Sequence, residues 1–466
     1  MLAVLLAAQF VANIDTAIAN IAAPALQSEL GASGGQAGLV VSGYVVAYAV
    51  LIITGARLGA SHGHRRIFVL GTGLFTAASL ACALAPDPVF LIVSRILQGA
   101  GAALMVPQVL SDIQQHFTGR ERVRALGYYA LALSTGAIAG QALGGVLVAA
   151  DLFGTSWRPI FLVNVPVGLV LVWAATRTMP RDGPTGDAAD VDLRGMALLA
   201  VTVLLVVVPL LLGPETGWSA WTWASLVAGI PAAAAFRRSQ RRRTTRGERP
   251  LIAIDVVRSP VIRWSLVAHG ATTMTYVALL FVLALYLQEG LARGPAYAGS
   301  AMVAWVGAFG IAGPLLTRIP ARTLPSMSAL GCVVLAVGYA SVLLYLIAGN
   351  RTGPALFLLL GIGGLGLGIS SNALIGQMTS VLPGRHAADL SGVISTNAQL
   401  CGALGVAVFG GGYLFLNGPG SAESAARALQ AVLAAFVVTS LLSAFAAYRG
   451  RAPGHGAHGA GPRTSG

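Results

Sequence analysis

Two opposite charges stand inside stretches that are otherwise apolar enough to cross a bilayer. Arg95 lies within VFLIVSRILQGAGAALMVPQVLSD (89–112), and Asp15 within a run that starts at Met1 and ends near Pro24. A guanidinium or a carboxylate is costly in hydrocarbon, so each must face other helices or water and find a partner. Gln98, Gly99 and Ala102 follow Arg95 at i+3, i+4 and i+7, on the same helical face. A cation, an amide and small residues on one stripe suit a helix lining a polar path, or an arginine clamped by a carboxylate or by carbonyls. Depth favours a meeting of the two charges. Asp15 is nine residues from Pro24 and Arg95 six from Val89, or ~14 Å and ~9 Å from the same face of the membrane. A carboxylate that can exchange its cation for a proton is a reasonable coupling device; a static ion pair is the alternative.

Other polar residues recur at helical spacing. Gln9, Asn13, Thr16 and Asn20 form one stripe beside Asp15. Polar stripes in membrane helices either bind helices together or line a cavity, and the adjoining carboxylate favours a cavity. His269, Thr272, Thr273 and Tyr276 form a second stripe. Its histidine could take part in proton coupling or be a hydrogen-bonded structural residue. Gly136, Gly140, Gly144 and Gly145 make a smooth face where another helix can approach closely, and a gating role would come on top of that packing. Gly63 with Arg65 and Arg66 suits a tight turn on the basic side of the membrane.

These residues sit in a chain of 466 residues that is 56% apolar and 10% charged, with a mean hydropathy of +0.77. That composition belongs to a polytopic membrane protein. Fourteen spans can be drawn, near 2–24, 37–59, 67–85, 89–112, 125–150, 158–178, 194–213, 219–236, 263–287, 297–317, 325–347, 354–376, 388–414 and 426–448. All 29 basic residues are arginine. Of these, 23 fall on the side that holds both termini and four (Arg158, Arg293, Arg351, Arg427) on the other. The arginine-rich side is therefore expected to be cytoplasmic. The +13 formal charge is mostly this topology signal and does not point to nucleic acid. The densest basic run, RRSQRRRTTRGER (237–249), reads as a solvated loop lying against anionic headgroups.

Without lysine the chain cannot carry a Walker A loop, which needs one on its phosphates. Any uphill transport must draw on a gradient or on a separate subunit. Cys82, Cys332 and Cys401 lie singly in apolar runs and read as packing residues. The first apolar run carries Asp15 and reads as a span, not a cleaved leader. No residue set calls for a cofactor or a metal, and clustered carboxylates or a nucleophile with a base, the marks of an enzyme, are missing from the pattern.

Taken together the stretches resemble the major facilitator superfamily, in its fourteen-span drug:proton antiporter branch. The family's first-span pattern, Asp-x-Thr-Ile-Val-Asn-Val-Ala-Leu-Pro, is kept at Asp15, Ile18, Asn20, Ala22 and Pro24, with Ala17 in place of threonine. The span-4 pattern is complete at Arg95, Gln98, Gly99, Gly101 and Ala102. The antiporter motif of span 5 matches at Gly136, Gly140, Gly144 and Gly145, with Gln141 where proline is usual. SWRPIFLVNVPVG (156–168) and LALYLQEGL (283–291) are also close to the branch. The loop after span 2 keeps Leu58, Gly63, Arg65 and Arg66, but Ala60 stands where the family has an aspartate that helps latch the cytoplasmic side. Either another contact replaces that latch or turnover is altered.

The resemblance implies an all-α membrane protein of two six-helix bundles (1–178 and 263–448), with two inserted spans (194–236), a basic cytoplasmic loop (237–262) and a disordered tail (449–466). It implies proton-coupled export of a small hydrophobic compound, with Asp15 and Arg95 in proton coupling and Gln9, Asn13, Asn20, Gln98, His269 and Tyr276 lining the cavity. It also implies a monomer in the bacterial cytoplasmic membrane. A proton-independent facilitator or importer of the same fold is the alternative.

Overall fold

The computed structural model describes residues 1–450 except 152–153, 181–191, 214–215, 249, 252–258, 317–323, 382–386 and 418–420. The expected tail beyond Gly450 lies outside the described residues. Sixteen α-helices and no strand are found among them. The first half contains α1 (Leu2–Leu30), α2 (Gly34–His62), α3 (His64–Ala83), α4 (Pro88–His116), α5 (Gly119–Ala150), α6 (Pro159–Leu162) and α7 (Asn164–Thr178). Then come α8 (Leu193–Leu212) and α9 (Ala220–Thr245). The second half contains α10 (Pro260–Leu285), which runs on into a π turn (Tyr286–Gly290), α11 (Pro295–Leu316), α12 (Leu324–Ile347) and α13 (Pro354–Val381). It ends with α14 (Ala387–Gly405), a second π turn (Val406–Gly410), α15 (Gly411–Asn417) and α16 (Ala422–Arg449).

Helices α6 and α7 together make one span, as do α14, its π turn and α15, so fourteen membrane-length segments result. Twelve of them are long and apolar enough to cross a bilayer by length and composition. The other two are α5, whose apolar part among the described residues is Thr135–Ala150, and α9, whose last turns are rich in arginine.

Local chemistry sets where the spans begin and end. Ser33 and Gln36 form a capping box at the start of α2, the hydroxyl accepting from the Gln36 N–H and the Gln36 side chain accepting from the Ser33 N–H. The Asp87 carboxylate accepts from the backbone N–H groups of Val89 and Phe90, both at 2.9 Å, with Pro88 in the first turn of α4. That start places Arg95 seven residues, or ~10 Å, along the helix. Gly63 joins α2 to α3 at φ 99°, a conformation that favours glycine, and donates its N–H to Gly59 O.

The first-half helices pack around α1, which touches α2, α4 and α5, while α3 lies between α4 and α7. Helix α5 also packs against α11, joining the two halves. At the arginine-poor end two side chains cross the same seam: Gln27 donates to Glu289 at 2.7 Å, and Gln288 donates to Ile21 O at 3.1 Å. The π turn at 286–290 is what carries Gln288 and Glu289 there, and such turns commonly mark functional bends.

The inserted pair lies to one side. Helix α8 rests on α2 and on the π turn at 406–410, and α9 packs chiefly on α8 while exposing Trp221, Trp223, Val227 and Ile230. The sequence reading is corrected at one boundary. It ended this span at 236 and read the basic run as loop, whereas the helix continues unbroken to Thr245. Arginine ends an apolar run, but it is a good helix former and does not end a helix.

Candidate functional site

Asp15 and Arg95 are paired. Arg95 Nη1 lies 2.6 Å from Asp15 Oδ2, and the two side chains are 1% and 0% exposed. Gln98, one turn beyond Arg95, joins them: its Nε2 donates to Asp15 Oδ1 at 2.7 Å, and its Oε1 accepts from Arg95 Nη1 at 2.6 Å. Three residues singled out by type and spacing therefore form one closed triangle.

The rest of the network was not anticipated residue by residue. Asn164 in α7 donates to the same Asp15 Oδ1 at 2.7 Å. Ser79 Oγ in α3 lies 2.7 Å from Gln98 Nε2. Arg95 Nε donates to Val40 O at 3.1 Å, and its guanidinium sits 4.4 Å from the centre of the Tyr44 ring and 5.5 Å from that of Phe161. One signal for Asn164 was present, since it is the only amide in residues 158–178. Ser79 carried none, because hydroxyls in spans usually bond to their own helix, as Ser79 also does to Phe75 O.

The carboxylate accepts from Arg95, Gln98 and Asn164, all of them donors, as an ionised aspartate requires. Removing one partner from such a pair leaves a buried charge uncompensated, the costly case for buried ions. Through these bonds one side chain of α1 is tied to α4 and α7, and through Gln98 and Arg95 to α3 and α2.

The remaining predicted cavity residues are buried or half-buried but do not join this network. Gln9 Oε1, Asn13 Nδ2 and Asn20 Oδ1 are buried without a hydrogen-bond partner among the described residues. Asn20 Nδ2 is within 3.4 Å of Thr16 O and 3.5 Å of Ala17 O. His269 is 6% exposed with Nδ1 unpartnered among the described residues, and Tyr276 stacks on Phe309 with centroids 6.4 Å apart. Gln141, the departure within the span-5 motif, is fully buried with both amide atoms unpartnered among the described residues.

The glycine face of α5 is tight. A β-carbon at Gly136 would lie 2.9 Å from Phe10 O, one at Gly140 2.7 Å from Ile14 O, and one at Gly144 2.9 Å from Ile18. Gly145 faces the other half, where a β-carbon would lie 2.8 Å from Pro295 O. At the arginine-rich end Arg65 donates to Thr176 O at 2.6 Å, and Arg66 is exposed. Gln108 of α4 reaches across there, donating to Gly55 O at 2.8 Å and pairing with His64 Nδ1 at 2.7 Å. This contact holds α4 to α2 and α3 at the end where Ala60, whose methyl group cannot hydrogen-bond, replaces the family's aspartate.

Comparison with known proteins identifies the family and the fold. Residues 5–406 match the family model described as Major Facilitator Superfamily. The chain is 35% identical over 413 residues to the probable actinorhodin transporter of Streptomyces coelicolor, covering 88% of this chain and 71% of that protein. It is 32% identical to the cephamycin export protein CmcT of Amycolatopsis lactamdurans, covering 90% and 85%. It is also 32% identical to the puromycin resistance protein pur8 of Streptomyces alboniger, covering 87% and 80%. Among solved structures, a bacterial homologue of the human lysosomal transporter Spinster aligns with a TM-score of 0.69 at 16% identity, covering 96% of both chains. A peptide transporter, POT, aligns with a TM-score of 0.70 at 19% identity, covering 97% and 94%. A family match across most of the chain, relatives a third identical over most of their length and a shared fold lead to one conclusion: the chain belongs to the Major Facilitator Superfamily and is a membrane transporter.

Proposed function

We propose that the protein exports a small hydrophobic compound, such as a drug, antibiotic or secreted metabolite, in exchange for protons. The membrane is the bacterial cytoplasmic membrane, with both termini and the arginine-rich loops on the cytoplasmic side. The relatives' names, actinorhodin transporter, cephamycin export protein and puromycin resistance protein, support export and the substrate class. The single observation that carries proton coupling is the Asp15 carboxylate, buried and bonded only to donors.

A proton on Asp15 would turn one acceptor oxygen into a donor. The charge that strengthens the bonds from Arg95, Gln98 and Asn164 is then lost, and the bond from Arg95, an ion pair, weakens most. The hold of α1 on α4 and α7 loosens in the same event, and a released Arg95 cation is left to seek another partner. Alternating access follows if the two halves rock more readily once α1 is loosened. The cavity residues Gln9, Asn13, Asn20, His269 and Tyr276 offer hydrogen bonds and an aromatic face but no carboxylate, which suits a hydrophobic, neutral or weakly charged substrate. The protein works as a monomer in this reading.

The test is pH-gradient-driven uptake of hydrophobic antibiotics into inside-out vesicles, comparing wild type with Asp15→Asn. Accumulation that collapses with a protonophore and is lost in the variant supports the proposal. Accumulation that survives the protonophore overturns proton coupling and makes the Asp15–Arg95 pair a structural clamp.

A further inference from the structure

The basic run that follows the inserted span is a continuation of helix α9, held in one orientation. Asp192, 1% exposed at the start of α8, accepts from the Gly195 N–H at 2.7 Å and from Gln240 Nε2 at 2.7 Å. Arg243 Nε lies 3.7 Å from the same carboxylate, and Arg243 Nη1 lies 3.1 Å from Glu248 Oε2. Gln240 and Arg243 therefore fix the inner face of the extension against α8.

At 3.6 residues per turn the outer face is then set. Arg237, Arg241, Arg238 and Arg242 fall on one arc of about 140°, within about 8 Å along the axis. All four are exposed. The arc begins directly after Phe236, where the apolar part of the span ends, so it stands at the level of the lipid headgroups. The other end of the same helix carries Trp221 and Trp223, 43% and 57% exposed, with Trp223 packed on Trp218 at 5.5 Å. Tryptophan at one interface and arginine at the other mark a helix that addresses lipid along its whole length.

We propose that Arg237, Arg238, Arg241 and Arg242 form a binding surface for the phosphate headgroups of anionic phospholipid. Charge complementarity and position select this occupant. Four cations on an open, convex arc suit headgroups arrayed in a plane and offer no enclosing pocket for a free phosphate ion. Through Gln240 and Arg243, Asp192 ties the arginine-bearing turns to α8, which touches both α2 and the π turn at 406–410.

The experiment uses the full chain in a neutral detergent, titrated with phosphatidylglycerol or phosphatidylcholine, with bound lipids counted by native mass spectrometry. The wild type should retain phosphatidylglycerol over phosphatidylcholine by about tenfold or more, at roughly fivefold per engaged arginine. The variant R237Q/R238Q/R241Q/R242Q should lose that preference, and the corresponding lysine variant should keep it. Equal retention of both lipids overturns the proposal, as does an undiminished preference in the glutamine variant. Displacement of phosphatidylglycerol by inorganic phosphate, at an ionic strength where chloride does not displace it, also overturns it, since the site would then serve a free anion. Melting temperatures check folding. Should the fourfold glutamine variant unfold, R237Q/R238Q and R241Q/R242Q carry the same test, each with an expected loss of about fivefold or more.

Discussion

Asn164 and Asp15, 149 positions apart, are joined by a 2.7 Å hydrogen bond on the oxygen that also accepts from Gln98. The bond ties α7 to α1 at the proposed proton site. Replacing Asn164 with leucine removes one donor to a buried carboxylate, a change of about 1.5–3 kcal/mol for a hydrogen bond to a charged group. The expected outcome is a lower melting temperature in detergent and a transport rate with an altered pH profile. An unchanged pH profile alongside lower stability would make Asn164 a packing residue only.

Arg95 is expected not to tolerate lysine. Its guanidinium donates to Asp15, Gln98 and Val40 O and lies over Tyr44, a set that a single ammonium cannot reproduce. Arg95→Lys keeps a cation beside Asp15 but not the full set of bonds, and should lose gradient-driven transport and about 1.5–3 kcal/mol for each charged hydrogen bond that it fails to remake. Vesicle uptake and thermal unfolding measure the two effects separately.

Gln141 predicts the opposite sign. Its amide is fully buried with neither atom partnered among the described residues, a condition that costs about 1–3 kcal/mol per group. Gln141→Leu should therefore raise the melting temperature. A fall would mean that the amide is bonded in the protein, by water or by another conformation.

Two glycines make a paired test of the α5 contact. Gly140→Val places a branched side chain where a β-carbon already comes within 2.7 Å of Ile14 O and Ala17, and overpacking of this kind costs about 1–3 kcal/mol or more. Gly73→Ala in α3 meets nothing within 4 Å and should be neutral or stabilising by about 1 kcal/mol. Thermal melts of the two variants should diverge; parallel behaviour would rule out close α1–α5 packing as the reason for glycine.

The charged pair and the fourteen spans were legible in the sequence because hydrocarbon makes each charge costly and each span long. Depth along two helices sufficed to pair Asp15 with Arg95. Ser79 was hidden and Asn164 marked only as the lone amide of its span, since their roles depend on which helices are neighbours, and span order does not give that. His269 and Tyr276 share a stripe on one helix, yet the stacking partner of Tyr276, Phe309, comes from another helix. The end of α9 was misplaced because hydropathy reports where the membrane stops, while the backbone follows helix propensity past that point.

The glycine contacts of α5 have a mechanical consequence. Gly136, Gly140 and Gly144 lie against α1, and Gly145 against α11 of the other half, so the helix meets both neighbours with nearly toothless surfaces. A bilayer adds no hydrophobic pull between helices, and smooth faces interlock little as they slide. Under the proposed alternating access, such a helix would serve as a bearing, letting the halves turn without choosing a direction. In the proposed mechanism, direction would come instead from the Asp15–Arg95 pair and the Gln98 amide bonded to both, so that the parts that permit movement and the part that drives it could be altered independently.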